Sequence, residues 1–253
     1  LHERGEKALV LFVTGGDPSL SQLPDVLSSL AEAGADVIEV GLPFSDPIAD
    51  GPTIQASSKR ALDSGVTPMQ VLETLATCSV PVPVVLMGYY NTVLRHGLRE
   101  FADAARCANV AGTIISDLTV EEADPWIEAS RQHDLDNIFL AAPTSTDARL
   151  ETICARTTGF VYAVSRTGVT GQATTLPPDV PELVARIRTY TPLPVCVGFG
   201  ISNPEHVRTV CQVADGAVVG SWLVSLLHDE WREGSGAALV RQQVAELKAA
   251  TRP

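Results

Sequence analysis

The sequence predicts a single (β/α)8 barrel of the TIM type spanning residues 1–253. Two observations predict it: eight short apolar runs rich in β-branched residues, and segments of helical spacing between them. Eight strands alternating with helices in 253 residues is the arithmetic of a ring of parallel strands under a helical coat. In order, the first run is 9–13, followed by helical spacing over 20–33. The second, 37–41, is apolar except for Glu39. The third is 82–87, and the helical pattern 98–107 leads to the fourth, 112–116. The pattern 125–132 precedes the fifth run, 137–142. The sixth is 160–165, and 181–190 reads as the helix before the seventh, 195–199. The eighth is 216–220, and 221–250 reads as the last helix plus a helical tail. Most runs are apolar nearly throughout, as parallel strands covered on both faces require. A doubly wound sheet would carry a glycine-rich fingerprint after its first strand. Here that turn is Thr14-Gly15-Gly16-Asp17-Pro18, which is no such fingerprint. With no linker and no shift in composition, the chain reads as one domain.

Composition narrows the function. The chain is 45% apolar and 19% charged, enough to fill a core and too apolar for disorder. Its net charge of −12 repels polyanions, so nucleic acid and anionic membranes are excluded as partners. An anionic substrate must then be held by local dipoles. No apolar run reaches the roughly 18–20 residues that span a bilayer. Leu1-His2-Glu3-Arg4-Gly5 lacks the layout of a signal peptide, so a cytoplasmic protein is expected. The five cysteines are scattered and odd in number, and read as small buried hydrophobes in a reducing compartment.

A barrel of this kind builds its active site from the loops that follow the strands. The polar residues there are few. They are Glu39 to Asp50 after the second strand, Ser116-Asp117 after the fourth, Tyr162 and the stretch 165–171 at the sixth, Gly200 after the seventh and Gly220-Ser221 after the eighth. Glu39 interrupts an apolar strand, so its carboxylate points into the barrel or into the helix layer. Either place is costly unless the group is paired or protonated, and burial would poise it for proton transfer near neutral pH. The alternative is a glutamate satisfied by a neighbouring hydroxyl with no catalytic duty. Asp50 brings a second carboxylate to the same mouth, whereas Asp46 reads as a turn residue. Gly200 and Gly220-Ser221 offer backbone N–H groups where such barrels hold phosphate, and Gly171 adds a third donor. The three lysines, Lys7, Lys59 and Lys248, all miss the C-terminal strand ends, which excludes a Schiff-base aldolase. The histidines lack ligand spacing, so no metal is expected. What remains is cofactor-free acid/base chemistry on a phosphorylated substrate.

The stretch from Glu39 through Pro43-Phe44-Ser45-Asp46-Pro47 and Asp50-Gly51-Pro52 to Gln55 resembles the signature loop of tryptophan synthase α chains. The likeness continues through Phe12 to Pro18, Met87-Gly88-Tyr89-Tyr90-Asn91, residues 165–171, Gly198-Phe199-Gly200-Ile201 and Val219-Gly220-Ser221. It runs the length of the chain in order. The resemblance implies a carbon–carbon lyase of tryptophan biosynthesis that cleaves indole-3-glycerol phosphate to indole and glyceraldehyde 3-phosphate by a retro-aldol reaction. It implies that Glu39 handles the proton transfers, Asp50 stabilises charge on the indole N–H, Tyr162 orients Glu39 and Thr170 supports Asp50. Gly171, Gly200, Gly220 and Ser221 would cradle the phosphate, while Phe12, Ile54, Leu140 and Phe199 line the indole slot. No cofactor is implied for this chain; pyridoxal phosphate (PLP) belongs to the β subunit of an α2β2 heterotetramer. The family also carries a helix ahead of the first strand, most of which this sequence lacks. Asp117-Leu118-Thr119 stands where the family usually has Asp-x-Pro, and Asn91-Thr92 where Asn-Pro is common. Those loops lie toward the β subunit in the family, which motivates the first of two alternatives. One is a stand-alone lyase that releases free indole; the other is a non-catalytic phosphate-binding barrel. Indole-glycerol phosphate synthases want lysines at strand ends, and phosphosugar epimerases want metal-ligating histidines, and neither pattern is present.

Overall fold

Every strand of the computed structural model, which describes residues 5–164, 179–198 and 200–252, runs parallel to its neighbours. The strands are β1 (Ala8–Thr14), β2 (Val37–Gly41), β3 (Val84–Gly88), β4 (Val110–Ile115), β5 (Asp136–Asn137), β6 (Leu140–Ala141), β7 (Val161–Val164), β8 (Val195–Gly198) and β9 (Gly216–Val219). The sheet order is β5-β4-β3-β2-β1-β9-β8-β7-β6. The expected fifth strand is thus two short pieces, and they join the sheet's two edges. β5 pairs with β4 and β6 with β7, and only Ile138 and Phe139 separate them. Ile138 N–H donates to Thr113 O in β4 at 2.9 Å, and Tyr162 N–H in β7 donates to Phe139 O at 3.2 Å. The chain therefore hands its pairing from one neighbour to the other within a residue, and the ring closes as a (β/α)8 barrel.

The helices are α1 (Leu23–Glu32), α2 (Pro52–Asp63), α3 (Pro68–Ala76), α4 (Tyr90–His96), α5 (Leu98–Cys107), α6 (Asp124–Arg131), α7 (Asp147–Arg156), α8 (Asp179–Arg188), α9 (Pro204–Cys211), α10 (Ser221–Glu230) and α11 (Ala237–Ala249). Their starts follow local chemistry. Thr67 and Gln70 form a capping box on α3, while Thr146 and Asn203 accept from the third amides of α7 and α9. Proline occupies the first turn of α1, α2, α3, α6 and α9, where no amide partner is lost. The helix expected over 20–33 opens with a 3-10 turn at Leu20–Gln22, and the tail after α10 breaks at Arg232–Gly234 before α11.

Side-chain alternation sorts the core into two layers. Leu9, Leu11, Val13, Ile38 and Val40 face the helices, while Val10, Val85, Ile114, Ile138, Tyr162, Cys196 and Val218 fill the barrel interior. Glu39, between Ile38 and Val40, therefore points inward. The cysteines are free, with Cys154 and Cys196 buried but Cys107 exposed, which corrects the expectation that all are buried. Among the described residues no helix is long and apolar enough to cross a membrane.

Candidate active site

The C-terminal strand ends surround a cavity of about 460 Å³. Of the residues singled out in the sequence, Asp50, Ile54, Leu140, Tyr162, Gly200, Gly220 and Ser221 line it together. Phe12 lines a small adjoining void that shares Asp50 and Ile54 with it. Thr170, Gly171 and Phe199 lie outside the described residues.

Glu39 is fully buried on β2, level with Phe12 on β1 and Val85 on β3, and neither the cavity nor the adjoining void has it in its lining. Neither carboxyl oxygen has a hydrogen-bond partner, so it is not a glutamate satisfied by a neighbouring hydroxyl. Burial alone pushes its pKa from the ordinary 4.5 to about 8. The group is held as a neutral acid at neutral pH, with a proton to give and the capacity to take one back. The Tyr162 hydroxyl titrates well above its ordinary range, first from burial and then from the nearby Glu39 carboxyl. The two are close enough to feel each other, yet no hydrogen bond joins them, so the orienting contact implied for Tyr162 is not made in this structure.

Asp50 is held from several sides. Its N–H donates to Pro47 O at 3.1 Å, and the Gln55 side chain donates to its carbonyl at 2.9 Å. The Tyr89 hydroxyl donates to its carboxylate at 3.1 Å and accepts from Ala49 N–H at 3.0 Å. Phe44 stacks on Tyr89 with ring centroids 4.8 Å apart. Burial raises the Asp50 pKa and the Tyr89 hydrogen bond opposes the rise. α2, which begins just after Asp50, is tied to the end of β1 twice. The Thr14 and Ser57 hydroxyls meet at 2.6 Å, and Arg60 clamps Asp17 through two hydrogen bonds of 2.9 and 2.6 Å.

Two glycines shape the walls. A Cβ on Gly41 would stand 2.5 Å from the Phe12 ring, and one on Gly198 would stand 2.7 Å from the Tyr162 hydroxyl. Both aromatic rings thus occupy space that only glycine leaves. Gly220 precedes α10, whose first amides have no side-chain cap. Those N–H groups, with the Ser221 hydroxyl and the Gly200 backbone, can hold an anion without a cationic side chain.

Sequence reasoning placed Tyr89, Gly198, Met87 and Ile201 in family-like motifs but gave none of them a role, and all border Asp50, Tyr162 or the cavity. The signal for Tyr89 was its place directly after the third strand; a tyrosine there reads equally as core. Asp117, grouped with Ser116 as a polar strand-end residue, instead accepts from Tyr90 N–H at 2.7 Å and caps α4. Thr92 is buried within α4, whereas Thr119 is exposed. Among the described residues no three His, Cys, Asp or Glu side chains converge as metal ligands do.

A family model described as tryptophan synthase alpha chain matches residues 1–252. The tryptophan synthase alpha chain of Geobacter sulfurreducens is 45% identical over 254 aligned residues, covering 100% of this chain and 94% of that one. The Burkholderia multivorans chain of the same name is 46% identical, covering 99% and 93%. Among solved structures, a chain of Mycobacterium tuberculosis tryptophan synthase superposes with a TM-score of 0.92 at 38% identity, covering 100% and 95%. Tryptophan synthase subunit alpha from Legionella pneumophila gives 0.88 at 32%, covering 97% and 92%.

Proposed function

The chain belongs to the tryptophan synthase alpha chain family, and from that membership we propose how its residues divide the reaction. It is a carbon–carbon lyase of tryptophan biosynthesis that cleaves indole-3-glycerol phosphate to indole and glyceraldehyde 3-phosphate. The cleavage needs a proton delivered to indole C3, so that the ring leaves as a neutral molecule. It also needs a proton removed from the glycerol hydroxyl beside the breaking bond, which becomes the aldehyde.

The observation that carries the division is the unpartnered, fully buried Glu39 with its pKa near 8. In the proposed mechanism Glu39 gives the proton to C3 and accepts the one from the hydroxyl. Asp50 faces the indole N–H and stabilises the positive charge that develops there. Tyr162 walls the space between them, Thr170 supports Asp50, and Phe12, Ile54, Leu140 and Phe199 grip the ring. Gly171, Gly200, Gly220 and Ser221 hold the phosphate. The chemistry uses no cofactor of this chain, and residues 1–253 act as one domain.

An alpha chain works with a beta subunit, in which PLP chemistry would consume the indole; we assign an α2β2 assembly. The loop carrying Asp50 supports this reading, because it presents Ile48 84% exposed, bordering one surface cavity with Thr119. The test is to follow indole release from indole-3-glycerol phosphate by the chain alone, with a cognate beta subunit, and by Glu39→Gln. Slow cleavage alone, acceleration by the beta subunit and a loss of about 10²–10⁴-fold in the variant are expected. Fast turnover indifferent to the beta subunit would make the chain a stand-alone lyase, and no cleavage at all would overturn the assignment.

A further inference from the structure

Ser116, at the end of β4, has no duty in the reaction as described. Its N–H donates to Gly88 O at 2.9 Å, which fixes the residue at the mouth beside β3. Its Oγ is buried and has no hydrogen-bond partner. The residue borders three spaces at once: the main cavity, the void behind Phe12 and the side cavity under Ile48. An alanine would complete the same wall without a stranded hydroxyl, so the hydroxyl calls for a partner that arrives with the ligand.

The ring order says which part of the ligand that is. With β5 and β6 counted as one strand, β4 stands four steps from β9 in either direction, directly across the barrel. A phosphate on Gly220-Ser221 after β9 therefore sends the far end of the substrate, its aromatic ring, against the β4 wall. Met87 on the neighbouring β3 and Leu140 on β6 make that side of the cavity apolar, and Ser116 supplies a hydroxyl within it. A serine hydroxyl both donates and accepts, and turns among staggered rotamers.

Resting on the reaction assigned above, we propose that Ser116 is a specificity-determining residue. On a substrate whose benzo ring carries a hydroxyl, the Ser116 hydroxyl bonds that group, so the site accepts ring-hydroxylated indole glycerol phosphates better than an alanine wall would. The reverse reaction tests this directly. There the indole C3 bonds to the aldehyde carbon of glyceraldehyde 3-phosphate, the C3 proton leaves and the aldehyde oxygen gains one.

Condensation is measured for indole and for hydroxyindoles bearing the hydroxyl at each benzo-ring carbon in turn, with the native chain, Ser116→Ala and Ser116→Cys. The expected result is a fall of about tenfold in kcat/KM for at least one hydroxyindole relative to indole in Ser116→Ala, with Ser116→Cys between the two. The rate on indole itself serves as the control for folding. Unchanged ratios for every hydroxyindole, with indole still condensed, would overturn the role of Ser116 and leave the reaction standing. Failure of the native chain to condense even indole would instead overturn the assigned reaction.

Discussion

Glu39 shows what one carboxyl group gains and loses by burial. Its folded pKa near 8 lies above the ordinary 4.5, so the folded chain keeps a proton that the unfolded chain releases. That difference stabilises the fold fully below about pH 4.5 and is lost as the pH rises to about 8. Glu39→Gln should remove this slope. Urea midpoints should match the native chain near about pH 5 and lie higher near about pH 9, a gain on the order of a few kcal/mol in unfolding free energy. Equal midpoints at both pH values would mean that Glu39 is not a buried neutral acid. By the same logic kcat should decline above about pH 8, as the acid form disappears. Tyr89 acts on the other carboxyl. In Tyr89→Phe the hydrogen bond that lowers the Asp50 pKa is gone, so the acid limb of the kcat/KM profile should move to higher pH. The plateau should drop about tenfold. An unmoved acid limb would show that Asp50 does not depend on this tyrosine.

At the scale of elements, the site is a matter of how strand ends and α2 are held in register. Gly198 on β8 exists beside Tyr162 on β7 because no Cβ fits between them. Gly198→Ala should cost about 1–3 kcal/mol in stability, and kcat should fall with it as the tyrosine ring is displaced. A variant with native stability and native kcat would mean that the ring has slack. α2 delivers Asp50 and Ile54, and its position rests on the Thr14–Ser57 and Asp17–Arg60 contacts. Asp17 is only 5% exposed and Arg60 34%, so the pair lies between exposed and buried limits. Arg60→Ala leaves the carboxylate without its cation and should destabilise the chain by about 1–3 kcal/mol. Arg60→Lys, which keeps the charge but not the two-point clamp, should recover only part of that loss in the same denaturation experiment.

Across the whole molecule, chemistry and stability sit at opposite ends of the barrel. At the N-terminal strand ends Lys248 bonds Asp36 at 2.8 Å and lies 3.7 Å from Glu6, while Asp36 also accepts from Leu9 N–H at 2.7 Å. This fastens α11 to the start of β1, far from the cavity. Lys248→Met should lower Tm by about 2–4 °C for each kcal/mol lost and leave kcat/KM unchanged. A change in turnover would mean that the two ends are coupled. Eight strands were legible in the sequence because parallel strands buried on both faces must be apolar. The two-piece fifth strand was not, because 137–142 reads as one unbroken run. Its split comes from switching hydrogen-bond partners around the closing ring.

By itself the sequence determined the barrel, the loops that carry the chemistry and the carboxyl of Glu39 as the group out of place. Each of these is a local pattern of side-chain type against strand period. Tertiary structure alone decided that the Glu39 carboxyl has no partner, that Tyr89 steadies Asp50, that Gly198 makes room for Tyr162 and that Asp117 caps a helix while the Ser116 hydroxyl stays unpaired. These depend on which atoms meet across a closed ring. Hydrogen bonds and steric contacts act over a few ångströms in space, whatever the distance along the chain.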